Sequence, residues 1–398
     1  MSSPAMAPAA SRGPFVAWIL PLAILAGLLA WALQLARTPA GDSLALSLLA
    51  GGAFGLFLQR ARFCFFCVTR DFLDGGDARG LLGIVLALAV GTIGYHAVFG
   101  LFLPDPGIGR LPPDAHIGPV SWVLALAALT FGIGMALSGS CISAHLYRLG
   151  EGAVPSLIAL VGAMVGFGLG FITWNPLYIA AIQSAPVVWL PARAGYSGSL
   201  LIQLGALAGV AAYLMARHRA PSTATAGGPG TQLLRRRWPA HVGGLAIGLL
   251  AILAYLRIAP LGVTAELGSL ARTLGEQTGS VPERLQGLDG FAGCATAIKQ
   301  SLLSDNAVFI LGLVLASLAS ALVGGDFRWR PVSARLAIGH FSGGVLMGWG
   351  AMTALGCTVG TLLSGIMAGA LSGWVFALFC LVGLWATWRL RQRLGRGS

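Results

Sequence analysis

The sequence predicts an all-α polytopic membrane protein of about nine to ten transmembrane helices, in two inverted repeats with re-entrant short helices or loops carrying cysteines. Three observations predict it. Of the 398 residues 56% are hydrophobic and only 10% charged, with mean hydropathy +0.81, whereas a soluble domain carries about 25% charged residues. Such a chain cannot clothe a globule in water. Apolar runs near the roughly 20 residues needed to cross a bilayer recur along its whole length. A glycine-rich cysteine pattern, finally, occurs once in each half.

The apolar runs fall at 15–35, 43–58, 80–102, 120–138, 154–173, 199–216, 241–257, 306–323, 337–355 and 370–388. The first follows "MSSPAMAPAASRGPF" and is longer than the roughly 7–15-residue core of a signal peptide, so it is expected to be retained as a helix. The net charge of +12 lies in the links between runs. Link 217–240, "RHRAPSTATAGGPGTQLLRRRWPA", is strongly basic and rich in Pro, Gly, Ser and Thr, which makes it a flexible cytoplasmic linker. Alternating outward from it puts both termini, 59–79, 139–152 and 324–335 in the cytoplasm. Links 36–42, 103–119, 174–198 and 258–305 become external. The arginines concentrate on the first set, as the positive-inside rule demands. Within 258–305, "VTAELGSLARTLGEQ" is expected as a short amphipathic helix at the outer surface or as a solvated loop.

Several functions are excluded. Nucleic acid binding needs a basic stripe with readout groups, and none is present. The six cysteines, Cys64, Cys67, Cys141, Cys294, Cys357 and Cys380, lie in or beside apolar segments rather than in the polar loops of a secreted disulfide scaffold. The histidines show no spacing to cysteine that suits zinc, apart from His145 four after Cys141. No cofactor motif occurs, and no enzymatic activity is expected.

The repeat lies in the cysteines. "GIGMALSGSC" (132–141) and "GWGAMTALGC" (348–357) each end an apolar run. Cys64 precedes Cys141 by 77 residues and Cys294 precedes Cys357 by 63, so Cys294 is the expected counterpart of Cys64. The second repeat begins five spans after the first, an odd number, which inverts it relative to the first. The expected organisation is 1–42 with an extra helix, 43–198 as the first repeat, 199–240 as a helix and basic linker, and 241–398 as the second repeat and basic tail. Gly139, Gly293 and Gly356 suit the turns that broken helices need.

The stretches "LQRARFCFFCVTRDF", "GIGMALSGSCISAHLYRLGEG" and "GGVLMGWGAMTALGCTVGTLLSGIMAGALSGWVF" resemble the YeeE/YedE family of bacterial inner-membrane proteins, over roughly 43–388. That resemblance implies transport of a small sulfur-containing anion, thiosulfate best defined among them. It also implies short helices dipping into an hourglass interior, with Cys64, Cys141 and Cys357 as pathway cysteines. Cys67 departs from the family's pattern.

Thiols suit such a cargo. A neutral S–H is a weak donor on a polarizable atom, so a dianion with a terminal sulfur can be bound and released without being trapped. Ser140, Ser143 and Thr358 add hydroxyls beside the cysteines. Lys299, external and close after Cys294, is the best candidate for drawing an anion in; Arg62 and Arg70 equally serve topology. The candidate substrate-binding set is therefore Cys64, Cys141, Cys357, Cys294, Gly139, Gly356 and Lys299. No Asp or Glu lies mid-span, which favours a facilitator over an ion-coupled carrier. The basic cytoplasmic face offers a place for a soluble sulfur-carrier protein. The alternative is a membrane thiol–disulfide oxidoreductase using Cys64 and Cys67, which explains the CxxC but neither Cys141 nor Cys357.

Overall fold

The computed structural model describes residues 16–39, 41–219, 236–288, 291, 298, 299, 303–329 and 331–395. Ten long helices carry the chain back and forth: α1 (Val16–Leu35), α2 (Asp42–Ala61), α4 (Arg79–Phe102), α5 (Trp122–Ser138), α7 (Val154–Leu177), α8 (Leu190–Arg217), α9 (Ala240–Arg257), α11 (Asp305–Gly324), α12 (Ala334–Thr353) and α14 (Leu371–Arg393). Four shorter ones lie between them: α3 (Phe65–Gly75), α6 (Ile142–Gly150), α10 (Ala265–Gln277) and α13 (Gly365–Met367). Among the described residues, nine helical stretches are long and apolar enough to cross a membrane alone; α12 makes a tenth when joined to the 358–367 segment, bent 45° from it. Among the described residues no strand forms. This is an all-α polytopic membrane protein, and the reason is physical: in hydrocarbon every backbone N–H and C=O must be satisfied within the segment.

Local sequence sets the helix ends. Ser121, Ser304 and Ser333 accept from the amides of Leu124, Ala307 and Leu336 at 3.3, 3.2 and 3.4 Å, capping α5, α11 and α12. Gly76 and Gly325 close α3 and α11 in the left-handed conformation. Leu22, Leu29, Leu201, Leu253, Leu378 and Trp385 remain exposed along the long helices, the surface a bilayer would cover.

The packing is pairwise. α2 lies along α11, α4 along α9, α5 along α14 and α7 along α12, while α5 and α12 cross at the centre. Glycine sets the approach at that crossing. A Cβ placed on Gly134 would stand 2.6 Å from the Gly343 carbonyl oxygen, and one on Gly343 would stand 2.7 Å from that of Gly134. Helices that come this close gain dispersion contacts, which replace the hydrophobic effect as the driving force inside a bilayer. Helix α1 packs on α2 and α11, through Leu28, Ala32 and Leu35.

Two sets of links gather at opposite ends. At the arginine-rich end, Trp238 donates its amide to the Arg60 carbonyl, Arg328 to that of Glu151 and Arg219 to that of Gly76. Trp388 Nε1 reaches Asp74 there at 2.9 Å. A buried polar knot holds this end together. Arg60, 1% exposed, donates to Gln59 at 2.7 Å and to Ser320 at 2.6 Å, and stands 3.6 Å from Asp326; Gln59 in turn donates to Glu151 at 3.2 Å and Asp326 at 3.0 Å. Arg60→Ala leaves these acceptors buried without their donor. It is expected to cost about 3 kcal/mol, read as a lowered thermal midpoint in detergent.

At the other end Tyr196 donates to the Leu103 carbonyl at 2.6 Å, Tyr255 to that of Pro113 at 2.7 Å and Asn175 to that of Arg284 at 2.9 Å. His116, in the 103–121 link, is buried there with Nδ1 unpartnered, and burial pushes its pKa down to about 4. This folded value lies below the unfolded value of about 6.5. The neutral ring's contribution to stability is therefore complete above that pH and is lost as pH falls toward the folded value, at up to about 1.4 kcal/mol per unit. His116→Phe is expected to flatten that part of the stability–pH curve, measured as thermal midpoints between the two pKa values.

Two expectations differ from the structure. "VTAELGSLARTLGEQ" does form a helix, α10, but it does not lie at the surface: Ala265, Glu266, Leu267, Gly268, Ser269, Ala271 and Gly275 are buried, and α10 packs on α7 and α11. Interior placement is tolerable because Glu266 is paired with Lys299. Link 174–198 is shorter than expected. A π-wound turn, Tyr178–Ile182, extends α7 past Pro176, and α8 begins at Leu190 with a kink at Gly195, φ 68°.

Candidate functional site

Three cysteines occupy the same local position. Each stands at the N-terminus of a short helical segment, just after a left-handed turn. Arg62 (φ 51°) precedes Cys64, which caps α3; Gly139 (φ 74°) precedes Cys141, which caps α6; Leu355 (φ 58°) and Gly356 (φ 153°) precede Cys357, which opens the π-wound segment Thr358–Ser364 leading into α13. The turn breaks the helix without reversing the chain, the sharpest bend being the 45° between α12 and the 358–367 segment, and it aims the following amides toward the cysteine. Cys64 Sγ accepts from the Cys67 amide, and Cys357 Sγ from the Val359 amide, both at 3.4 Å. All three cysteines are fully buried, 0% exposed.

Around them stand hydroxyls that the protein leaves unpaired. Ser140, Thr358 and Thr264 are buried, and their oxygens have no hydrogen-bond partner among the described residues. Buried polar atoms are almost always paired, because leaving one unpaired costs roughly 1–3 kcal/mol. Thr264, at the N-terminus of α10, stands beside Cys357 without a well-formed hydrogen bond to it.

Cys64 and Cys141 lie against each other, and Cys67 adjoins the same cluster. The Sγ atoms of Cys64 and Cys67 are 3.0 Å apart, and Cys141 Sγ lies 3.2 Å from Ser143 Oγ. Arg148 donates through Nη2 to Cys67 Sγ at 3.1 Å and through Nη1 to the Gly139 carbonyl at 3.3 Å. Cys67 lies at the boundary of a cavity of about 1050 Å³ that opens at the arginine-rich end. Five arginines line it (Arg62, Arg70, Arg79, Arg148 and Arg237) against three carboxylates, Asp71, Asp77 and Glu151. The excess of positive charge makes it a vestibule suited to anions.

The structure thus gathers Cys64 and Cys141 in one cluster with Cys67, which alone of the three lines the vestibule, and sets Cys357 with Thr264 in another. Gly139 and Gly356 occupy the turns expected of them. Lys299 is not a bare positive charge: its ammonium pairs with Glu266, and Ser304 lies 3.4 Å away. Cys294 lies outside the described residues. Cys380, on α14, is buried beside Cys357 and begins no helix. Sequence reasoning missed Arg148 and Thr264. Arg148 was findable, because it follows Cys141 by seven residues and so shares its face of α6. Thr264 carries no motif.

The model of the sulphur transport family matches residues 60–386. The chain belongs to the sulphur transport family. The match begins in the last turn of α2 and ends in α14, which leaves α1 outside the family's shared part, in keeping with its peripheral packing. Two family relatives match along nearly their full length. A protein named thiosulfate transporter TsuA from Spirochaeta thermophila is 29% identical over 367 residues, 87% of this chain and 98% of the relative. The protein of the same name from Escherichia coli is 26% identical over 365 residues, 87% of this chain and 94% of its own. A probable transporter of E. coli, YedE, is 30% identical over 183 residues, 46% of this chain and 43% of that protein.

Proposed function

We propose that this protein carries thiosulfate, or a related anion with a terminal sulfur, across the bacterial inner membrane into the cytoplasm along a path that includes Cys64, Cys141 and Cys357. The observation that carries this reading is the repeated station: a buried cysteine at the start of a short helical segment, with buried hydroxyls beside it that lack partners. Such hydroxyls and helix-terminal amides satisfy an anion without a fixed charge to trap it. The names of the two full-length relatives support the cargo.

The packing supports two inverted repeats, 43–198 and 241–398, joined by 199–240. Exchanging α2 with α9, α4 with α11, α5 with α12 and α7 with α14 maps the α2–α11 pair onto α9–α4 and the α5–α14 pair onto α12–α7. The same exchange pairs Cys141 with Cys357, and Cys64 with Thr264 rather than Cys294. Each half then contributes two adjacent stations, a pair of thiols in the first and a thiol with a hydroxyl in the second. The arginine-rich end, with both termini, faces the cytoplasm on the positive-inside argument. The vestibule there could receive a soluble sulfur-carrier protein that takes up the delivered anion. The protein performs no chemistry on its cargo, and the oxidoreductase reading leaves the second pair of stations unexplained.

The test is uptake of radiolabelled thiosulfate by purified protein in liposomes without an imposed ion gradient. Inward flux down the thiosulfate gradient is expected. Flux that appears only when a proton or sodium gradient is imposed would overturn the facilitator mechanism. The double change Ser140→Ala and Thr358→Ala, which removes two of the unpaired hydroxyls, is expected to weaken half-saturation by about tenfold while leaving stability unchanged or raised. Lost stability with unchanged uptake would show that the hydroxyls serve the fold alone.

A further inference from the structure

Cys67 belongs to neither pair of stations, yet it has the most specific surroundings of the described cysteines. Its sulfur touches that of Cys64 at 3.0 Å, receives the Arg148 guanidinium at 3.1 Å and lies at the edge of the arginine-lined vestibule. We propose that Cys64 and Cys67 form a reversible dithiol–disulfide modification site, oxidised from the vestibule by low-molecular-weight disulfides, and that its oxidation closes the sulfur path.

The geometry is already close to that of the bond. A disulfide needs its sulfurs about 2.05 Å apart, so they must close by roughly one ångström. Cys64 has extended backbone (φ −132°, ψ 115°) as the cap of α3, and Cys67 is the third residue of that helix. Side chains at these two positions face each other, and rotation about their own bonds brings the sulfurs together without moving the helix. Access is one-sided. Cys64 is 0% exposed and Cys67 9%, with Cys67 on the cavity wall, so an incoming reagent meets Cys67 first. Arg148 is set to stabilise negative charge on that sulfur during attack, and the vestibule's positive charge favours anionic disulfides over neutral ones.

The step balances. The Cys67 thiol loses its proton and attacks one sulfur of the small disulfide; the S–S bond of the reagent breaks and one small thiolate leaves. Cys64 then loses its proton and attacks the Cys67 sulfur of the mixed disulfide, expelling the second thiolate. The two protons end on the two released thiolates. Two protein thiols have been oxidised and one small disulfide reduced to two thiols. Excess small thiol reverses both steps.

The consequence for the path rests on the proposed function. Cys64 in the reduced protein adjoins Cys141. In the disulfide its sulfur turns to Cys67 and carries no hydrogen, so the station beside Cys141 loses its donor. The structure thereby gives Cys67 a role separate from conduction: it controls whether Cys64 is available.

The experiment uses the full-length protein in liposomes, treated with oxidised glutathione and then with dithiothreitol. Peptide mass spectrometry after alkylation reads the linkage, and initial uptake of radiolabelled thiosulfate reads the path. Oxidation is expected to join Cys64 to Cys67 with loss of two hydrogens and to lower uptake at least tenfold, with both changes reversed by the reductant. Cys67→Ala is expected to transport within about twofold of wild type and to ignore the oxidant; Cys67→Ser provides the same test should the alanine variant fold poorly. A Cys64–Cys141 linkage, no linkage, or undiminished oxidant sensitivity in the Cys67 variants would overturn the proposal. The two readings fail separately. If the untreated protein carries no thiosulfate, the transport reading falls, while the linkage measurement still decides the modification site.

Discussion

Cys141→Ala is expected to lower thiosulfate uptake about 10- to 100-fold in liposomes, while Cys380→Ala leaves it within about twofold. The magnitude follows from the bond removed. A hydrogen bond to a charged group contributes roughly 1.5–3 kcal/mol, and each 1.4 kcal/mol is a factor of ten. Cys141 starts α6, lies against Cys64 and holds Ser143 Oγ at 3.2 Å, so its loss removes one station and disorders its neighbours. Cys380 is just as buried but lies within α14, follows no left-handed turn and has no unpaired hydroxyl beside it in the chain. Burial alone therefore does not mark a station. Cys141→Ser separates sulfur from donor: it keeps an O–H but gives up the polarizable atom, and an intermediate rate is expected. If Cys141→Ala and Cys380→Ala slow uptake equally, packing is the explanation and the path along Cys141 falls.

The long helices were legible in the sequence because each carries its own signal. A run such as 43–58 or 306–323 contains all the information needed for α2 or α11, and the described ends at Asp42–Ala61 and Asp305–Gly324 extend it by a few residues of capping and polar sequence. The left-handed turns before Cys141 and Cys357 were legible too, since the glycines at 139 and 356 announce them. What sequence could not show is which short segments enter the interior. "VTAELGSLARTLGEQ" reads as a surface helix because Glu266 is acidic; only the fold brings Lys299 to it across 33 positions of chain. The same holds for the counterpart of Cys64: a search by residue type offers Cys294, which lies outside the described residues, and passes over Thr264 at the N-terminus of α10, whose hydroxyl shares chemistry with a thiol but no letter.

The Arg148 guanidinium marks a further limit. On sequence it counts as one more positive-inside arginine, and its place in the last turn of α6, at the arginine-rich end, fits that role. In the fold it ties Cys67 to the carbonyl of Gly139, the turn that positions Cys141. Topology and function draw on the same residue here, so a charge count along the links cannot separate them.

Gly134→Leu is expected to prevent folding or to cost at least about 3 kcal/mol, the upper range for overpacking a close-packed contact. Gly134 and Gly343 face each other where α5 crosses α12, each too near the other's carbonyl for even a Cβ. The colliding atom is backbone, so no rotamer can relieve it and the helices must part. Separation would propagate directly to the stations, since α5 ends at the turn before Cys141 and α12 at the turn before Cys357. Gly209→Leu on α8, where nothing stands within 4 Å of a Cβ, is the matched control and is expected to be neutral. Thermal midpoints and the monodisperse fraction in detergent measure both. Alanine makes the sharper test. Gly134→Ala and Gly343→Ala each force the same local separation, so once one is present the second finds room already made. The double variant is expected to cost clearly less than the sum of the singles, a coupling of more than about 0.5 kcal/mol. Additive costs would mean that the two glycines are relieved by independent movements, and that α5 and α12 do not form one rigid crossing on which both cysteine turns hang.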